Sequence, residues 1–210
     1  MQLLGRLEIR SEERIIEFLG EEHVGRISTV DADGYPQVIP MNFVYMKDAV
    51  YMHSHVKGEK LDNIRRDSRA GFEVDREVEF LPSYFEDPHD ASVADTLYVS
   101  VVIKGRAELI DDTAEKAAAL NGLMAKYQPE GRYDPVKPGD EVLGHLEIIK
   151  VVPHSMRGKY KIGQHLDTKE RAELAAKILD RGSDTAASAL KIMGFEVVDG
   201  RPVMRDEPSW

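Results

Sequence analysis

Residues 51–66 read YMHSHVKGEKLDNIRR. Two histidines, His53 and His55, flank Ser54, and Lys57 and Lys60 follow around Gly58. An apolar, strand-like run (AVYMHSH) gives way there to a turn and then to a basic, helix-like run (KGEKLDNIRR). A helix starting near Lys57 leaves its first N–H groups without intrahelical partners. That end carries partial positive charge and accepts a phosphate readily. Gly58 lets the main chain come close to a ligand. Lys57 and Lys60, three apart, would place both ammonium groups on one side of the first turn. Ser54 adds a hydroxyl and the histidines add ring N–H groups. The chemistry on offer is the capture of a phosphate. On local pattern alone, a solvated basic turn is the commoner outcome, with Lys60 and Arg65 paired to Glu59 and Asp62.

A second place where chemistry could sit is QVIPMNFVY, residues 37–45. Pro40 in mid-strand cannot donate a ladder hydrogen bond. The strand is then either an edge or interrupted where something else meets its backbone. A planar heteroaromatic ring with carbonyl and N–H edges would suit such a backbone, and a plain edge strand would explain it as well. His53 and His55 share a strand face. A metal there would need a third ligand, with His145 and His154 as candidates. Nothing in the sequence brings those close, so no metal site is expected. Glu-rich segments such as REVEF, residues 76–80, read as solvated faces. Dinucleotide and P-loop glycine fingerprints are absent, and no Ser-His-Asp set stands out.

The positions must be held by a protein of ordinary globular composition. The 210 residues are 42% hydrophobic and 31% charged, with a formal net charge of −10. That size suits one generous domain, or one domain with an appendage. The acidic balance opposes the counterion release on which non-specific nucleic-acid binding draws, so nucleic acid is an unlikely partner. There is no cysteine, which removes disulfides, thiolate nucleophiles and Cys-type metal centres. No apolar run approaches the length of a membrane span. The first residues carry charge too early for a signal peptide, so a cytoplasmic protein is expected.

The elements around these positions are mostly strands. Residues 24–30, 37–45 and 49–55 read as three strands joined by short turns, including an Asp-Gly signal. Residues 69–77, 97–110 and 142–155 read as three more, with Gly105 marking a bulge or bend. Residues 57–68 read as a short helix, and 81–96 as a long acidic loop. Ser11 is a candidate cap for a first helix that Gly20 would stop, with Ile15, Ile16, Phe18 and Leu19 facing the core. A longer helix spans 111–127, capped by Asp112 or Thr113. Near the C-terminus, Asp167 and Glu170 form a capping-box pattern for a helix that Gly182 ends, and a second short helix runs from Ser183 to Gly194. Six short strands with irregularly inserted helices predict a small antiparallel β-barrel with peripheral helices.

Three segments in order, GRISTVDADGYPQVIPMNFVY, VYMHSHVKGEKLDNIRRDSRAGFEVD and YVSVVIKGRAELI, resemble the split-barrel FMN-binding proteins. The chain is most similar to the nitroimidazole-resistance (NimA-like) branch of the pyridoxamine 5′-phosphate oxidase-related group, over residues 11–153. The resemblance implies a six-stranded antiparallel split barrel and a homodimer with FMN at the subunit interface. It implies that the backbone of Ile39, Pro40, Met41 and Asn42 meets the isoalloxazine ring. Met52, His53 and Ser54 would line the ribityl and phosphate region. Lys60 stands at the family's phosphate-binding lysine, with Lys57 assisting. His53 matches the active-site histidine beside the flavin, where an imidazole can relay a proton near neutral pH. Ser100 stands where the oxidases carry a flavin-reaching glutamine. The oxidases' C-terminal Trp and Arg pattern is missing, and the single tryptophan is Trp210.

GKYKIGQHLDTKERAELAAKILDRG resembles a segment of the PaiB-like FMN-binding negative regulators, with His165 in place of an asparagine. This implies that Lys159, Lys161 and Gln164 reach toward the flavin, in cis or across the dimer. The expected organisation is a split-barrel domain, 1–155, and a helical C-terminal extension, 156–210. The leading functional expectation is an FMN-dependent oxidoreductase passing electrons from a nicotinamide donor, or from another reductant, to a small acceptor. The alternative is an FMN-binding sensor or negative regulator without turnover. A related split barrel that binds deazaflavin or heme, or has lost its cofactor, is a third option, with His53, His55 and His145 as candidate heme ligands.

Overall fold

The computed structural model describes residues 5–206, so Trp210 lies outside the described residues. The elements in chain order are β1 (Glu8–Ile9), α1 (Glu12–Glu21), β2 (Gly25–Val30), β3 (Pro36–Met41), β4 (Val44–Met46) and β5 (Ala49–His55). Then come α2 (Glu59–Arg66), β6 (Arg69–Leu81), β7 (Asp95–Leu109), α3 (Thr113–Tyr127) and β8 (Leu146–Lys161). The last are α4 (Thr168–Arg181), α5 (Ala186–Ile192), β9 (Phe195–Val198) and β10 (Arg201–Met204). The chain divides into two compact units. One comprises Glu12–Val74 and Val101–Arg157, and the other comprises Asp75–Ser100 with the segments before residue 12 and after Arg157.

The first unit is an antiparallel sheet curled into a split barrel, as expected. The strand order is β3-β2-β6-β7-β8-β5-β4. The two ends of that path, β3 and β4, are consecutive in the chain and separated only by Asn42 and Phe43. The single strand expected over 37–45 is therefore two. Its first part pairs β2 (Ile27 opposite Ile39), and its second pairs β5 (Val44 opposite Tyr51). One stretch of chain thus serves both edges of the sheet, which is how the sheet closes. Alternation fills the interior: Ile27 opposite Phe72, Val50 opposite Val151, and Met52 opposite Ile149 are all buried. On the outer face, Tyr51, Ala49 and Ile148 pack under α3 through Ala119.

Helix α2 buries Leu61 and Ile64 on one side, worth about 1.5–3 kcal/mol for each side chain fully removed from water. Its buried Asn63 donates to Thr29 Oγ1 at 3.2 Å, and Arg66 donates to the Val30 carbonyl. Gly105 lies inside β7. A Cβ there would sit 2.2 Å from the Val152 carbonyl oxygen, so the glycine permits a close approach of β8. In α1, Ile15, Phe18 and Leu19 are buried as expected, but Ile16 is on the exposed side and the helix passes Gly20 to end at Glu21.

In the second unit, β1 pairs β8 (Glu8 opposite Lys159), and β9 pairs β10. The hairpin β9–β10 was not visible in the sequence. The capping box of α4 forms as expected, with Asp167 and Glu170 bonding reciprocally and Gly182 in the left-handed conformation. Helix α5 begins at Ala186, later than the expected Ser183. Ser183 and Thr185 are instead held by Glu79, whose carboxylate accepts both hydroxyls at 2.6 Å and Arg181 at 2.8 Å. Glu79 is buried, which corrects the reading of REVEF as solvated. Three donors, one from the last residue of α4 and two from the chain after it, stand in for water around it. Strand β8 runs to Lys161, past residue 155.

Candidate functional site

Strand β5 alternates to its end: Met52 and Ser54 are buried, while His53 and His55 are exposed. The side chains of Met52 and Ser54 therefore face the interior, and that of His53 faces outward. The Ser54 Oγ is buried and has no hydrogen-bond partner. A buried hydroxyl left unpaired carries a desolvation cost, and such groups are uncommon without a functional reason. His55 Nδ1 accepts the Lys57 N–H at 3.2 Å. The ring proton of the neutral imidazole then sits on Nε2.

Helix α2 starts at Glu59, two residues later than expected, and Gly58 is its N-cap. Lys57 lies before the helix, so helical spacing does not align it with Lys60. Gly58 takes φ 151°, a backbone conformation that side chains disfavour, and the space above it is open. No side chain caps the helix start. Its acidic neighbours do not neutralise the lysines: Asp62 pairs with Arg65 at 3.1 Å, and among the described residues neither Lys57 nor Lys60 forms an ion pair. An uncapped helix start, a half-buried unpaired Lys60 and an orphaned Ser54 hydroxyl therefore lie within seven positions of chain. That donor set fits a phosphate.

The other part of the set is the β3 edge. Ile39 and Met41 are half-buried, and Pro40 and Asn42 are exposed. Pro40 lies opposite Arg26, and β3 has a strand partner on one side only. Just beyond, Phe43 is fully buried and stacks edge-on against Phe72 at 5.0 Å. Its N–H donates to the Tyr127 hydroxyl at 2.9 Å, and that hydroxyl donates to the His23 carbonyl at 2.5 Å. Lys126 Nζ lies 3.7 Å over the Phe43 ring and donates to the Leu19 carbonyl at 2.8 Å. Burial pushes the Lys126 ammonium down to about 8, with Glu22 acting weakly in the opposite sense. The end of α3 thus pins the bend that carries residues 39–42. None of this was visible in the sequence, because Lys126 and Tyr127 look like an ordinary polar helix end.

On the His53 face of β5, the Tyr51 hydroxyl donates to Glu115 at 2.7 Å, and Lys150 donates to the same carboxylate oxygen at 3.0 Å. These bonds hold the Glu115 carboxyl below its usual range, while burial holds the Tyr51 phenol above its own. An open groove of about 650 Å³ crosses β2, β6, β7 and β8, with Ser28, Gly71, Lys104, Arg106 and His154 along it. His145 lies 3.8 Å from Glu141. Among the described residues, no group of three or more His, Asp or Glu could hold a metal ion.

Three of the expected site residues belong to the other unit. Ser100 is half-buried in β7. Lys159 Nζ lies 4.9 Å over the Tyr98 ring. Gln164 is engaged locally: its Oε1 accepts the Ile162 N–H at 3.0 Å, and its Nε2 donates to the Tyr160 carbonyl. Lys161 pairs with Asp95. No helix among the described residues is long and apolar enough to cross a membrane.

The family model described as pyridoxamine 5′-phosphate oxidase matches residues 11–160. No curated protein shows a significant match. Among solved structures, a candidate 5-nitroimidazole antibiotic resistance protein from Bacteroides thetaiotaomicron is similar, with a TM-score of 0.61 and 23% identity over 73% of this chain and 86% of that one. The flavocytochrome Anf3 from Azotobacter vinelandii matches with a TM-score of 0.64 and 20% identity, over 77% of this chain and 72% of that one. A FAD- and heme-binding protein from Mycobacterium smegmatis matches with a TM-score of 0.64 and 20% identity, over 80% and 79%. At these identities the likeness is one of fold.

Proposed function

The chain belongs to the pyridoxamine 5′-phosphate oxidase family, and from that premise we propose that it is an FMN-binding oxidoreductase. The observation that carries the proposal is the β5–α2 junction: a buried Ser54 hydroxyl without a partner, beside a helix start with no side-chain cap and an unpaired Lys60. The FMN phosphate would be held by Lys60, the first N–H groups of α2 and the Ser54 hydroxyl, with Lys57 close by. The backbone of Ile39–Asn42 would meet the ring system, and Met52 would pack behind the ribityl chain. The bound flavin supplies the redox chemistry, taking electrons from a reductant such as a nicotinamide and passing them to a small acceptor. The chain's part is to bind, orient and supply protons. His53 is exposed beside the junction, and its ring can give or take a proton at the acceptor.

A homodimer with the flavin at the interface suits the exposed row Pro36, Val38 and Pro40 on the β3 edge. Ser100, Lys159 and Gln164 remain proposed flavin-contacting residues, in their own subunit or across the dimer. We keep residues 156–210 as an extension to a cytoplasmic enzyme. Two neighbours keep a second reading in view: one binds FAD and heme, and the other is a flavocytochrome.

Purified protein tests the proposal. Flavin absorbance and FMN released on denaturation are expected, as is oxidation of NADH or NADPH with a nitroaromatic acceptor. Lys60→Ala should weaken FMN binding at least tenfold, since a charge-assisted phosphate contact is lost. Unchanged affinity in a folded variant would remove the phosphate site. Release of FAD or a heme absorbance band would favour the second reading. Bound flavin without turnover would favour a sensor.

A further inference from the structure

The second unit contains a cavity of about 270 Å³ between α4 and the segment that joins β6 to β7. That is the small end of ligand-pocket sizes. Leu81, Phe85, Leu97, Leu166 and Leu174 give it an apolar wall. Four carboxylates line it (Glu86, Asp95, Glu170 and Glu173) against the ammonium groups of Lys161 and Lys177. One of the two cations is matched by a carboxylate and the other holds a backbone carbonyl. Lys161 pairs with Asp95, and Lys177 donates to the Phe85 carbonyl, which also ties the acidic loop to α4. Glu170 is committed to its helix cap, accepting the Asp167 N–H at 3.0 Å.

Two carboxylates are left. Glu173 has only a loose, exposed pair with Lys169 at 3.7 Å. The Glu86 carboxylate has no partner among the described residues. Both line the cavity, one from α4 and one from the loop. His165, also lining it, is held below its ordinary value by burial and by Arg6 and Lys161, so it adds no cation near neutral pH. With Lys161 matched by Asp95, the remaining carboxylates Glu86, Glu170 and Glu173 outnumber the one remaining ammonium, Lys177, so the lining is net negative, against an apolar wall to which Phe85 contributes.

We propose that this cavity binds a small organic cation: an ammonium group on a short apolar or aromatic body. The ammonium would lie between Glu86 and Glu173, and the body would lie against Leu97, Leu174 and Phe85. Both carboxylates are exposed at the cavity, so the apolar body supplies the burial, and an aromatic face favours a cation further. A carboxylate or phosphate ligand would meet this net negative lining. The site is independent of the flavin reading and makes no use of it.

The test uses full-length protein and three probes of matched size: phenethylamine, 2-phenylethanol and 3-phenylpropanoate. Calorimetric titration near pH 7 should show the amine binding at least tenfold more tightly than the alcohol, and no binding of the carboxylate. Glu173→Gln and Glu86→Gln should each weaken the amine several-fold. Leu174→Trp, which fills the cavity, should abolish binding while flavin content stays unchanged. If that variant does not fold, Val93→Phe on the loop wall serves the same purpose. No amine binding, equal binding of all three probes, or full amine binding by a folded cavity-filled variant would each overturn the assignment.

Discussion

The Phe43 N–H and the Tyr127 hydroxyl lie 2.9 Å apart, joining the two-residue link between β3 and β4 to the last turn of α3. That single bond ties the point where the barrel closes to a helix from a distant part of the chain. Tyr127→Phe removes the hydroxyl and leaves the buried Phe43 N–H and the His23 carbonyl short of a partner. We expect a loss of about 1–3 kcal/mol, read by urea denaturation. Because the bend carries Pro40–Asn42, flavin affinity should fall as well. Unchanged flavin binding in the destabilised variant would separate the bend from the ligand.

Lys126, beside Tyr127, gives a pH dependence. Its native value is about 8 against an ordinary 10.5. Below pH 8 the group is charged in both states, and the folded state carries the cost of burying it. Between 8 and 10.5 the unfolded chain holds a proton that the folded chain has released, so the free energy of unfolding rises with pH. The contribution is complete above 10.5 and lost as pH falls through 8. Lys126→Met lacks this slope. Wild type should gain on that variant between pH 7 and 10.5 by about 1–2 kcal/mol, less than the full shift would give because the ammonium is partly exposed and solvent screens it. Parallel stability curves for the two proteins would show that Lys126 titrates normally.

Ser54 offers a test that separates structure from binding. Its Oγ has no partner in the protein itself, so Ser54→Ala should leave the flavin-free protein as stable as wild type or slightly more so. Flavin affinity should fall about three- to tenfold, the value of one hydrogen bond. Thermal unfolding with and without added FMN reads both quantities. A destabilised flavin-free variant would mean that the hydroxyl serves the fold.

Gly58 at φ 151° is strained for any side chain, although a Cβ would meet no atom within 4 Å. Gly58→Ala should therefore cost about 1 kcal/mol or more through backbone conformation alone. It should also weaken FMN by crowding the helix start. Comparison with Gly20→Ala, in α1 and likewise free of contacts, checks that the effect is local to the junction.

Glu79 has a side chain only 1% exposed and accepts bonds from Arg181, Ser183 and Thr185. Glu79→Ala would strip three donors of their acceptor, and we expect a loss of about 3–5 kcal/mol. Exchange of backbone amides in α5 should accelerate first, since Ser183 and Thr185 lead into that helix. Protection of α5 equal to wild type would assign Glu79 a smaller role.

What the sequence by itself determined was short-range. The Asp112 cap, the Asp167–Glu170 box, the Gly182 stop and the β5–turn–α2 order each depend on residues within a few positions, where side chain and backbone meet regardless of the rest of the chain. Strand alternation likewise put His53 and His55 on one face of β5, as observed. Only the tertiary structure decided that 37–45 breaks at Asn42 and Phe43, that Glu79 is buried, and that Lys126 and Tyr127 clamp the bend. Those outcomes depend on partners 84 and more than 100 positions away. A side chain's local pattern does not say which distant donor will replace its water, because that is settled only when the sheet curls and brings the two together.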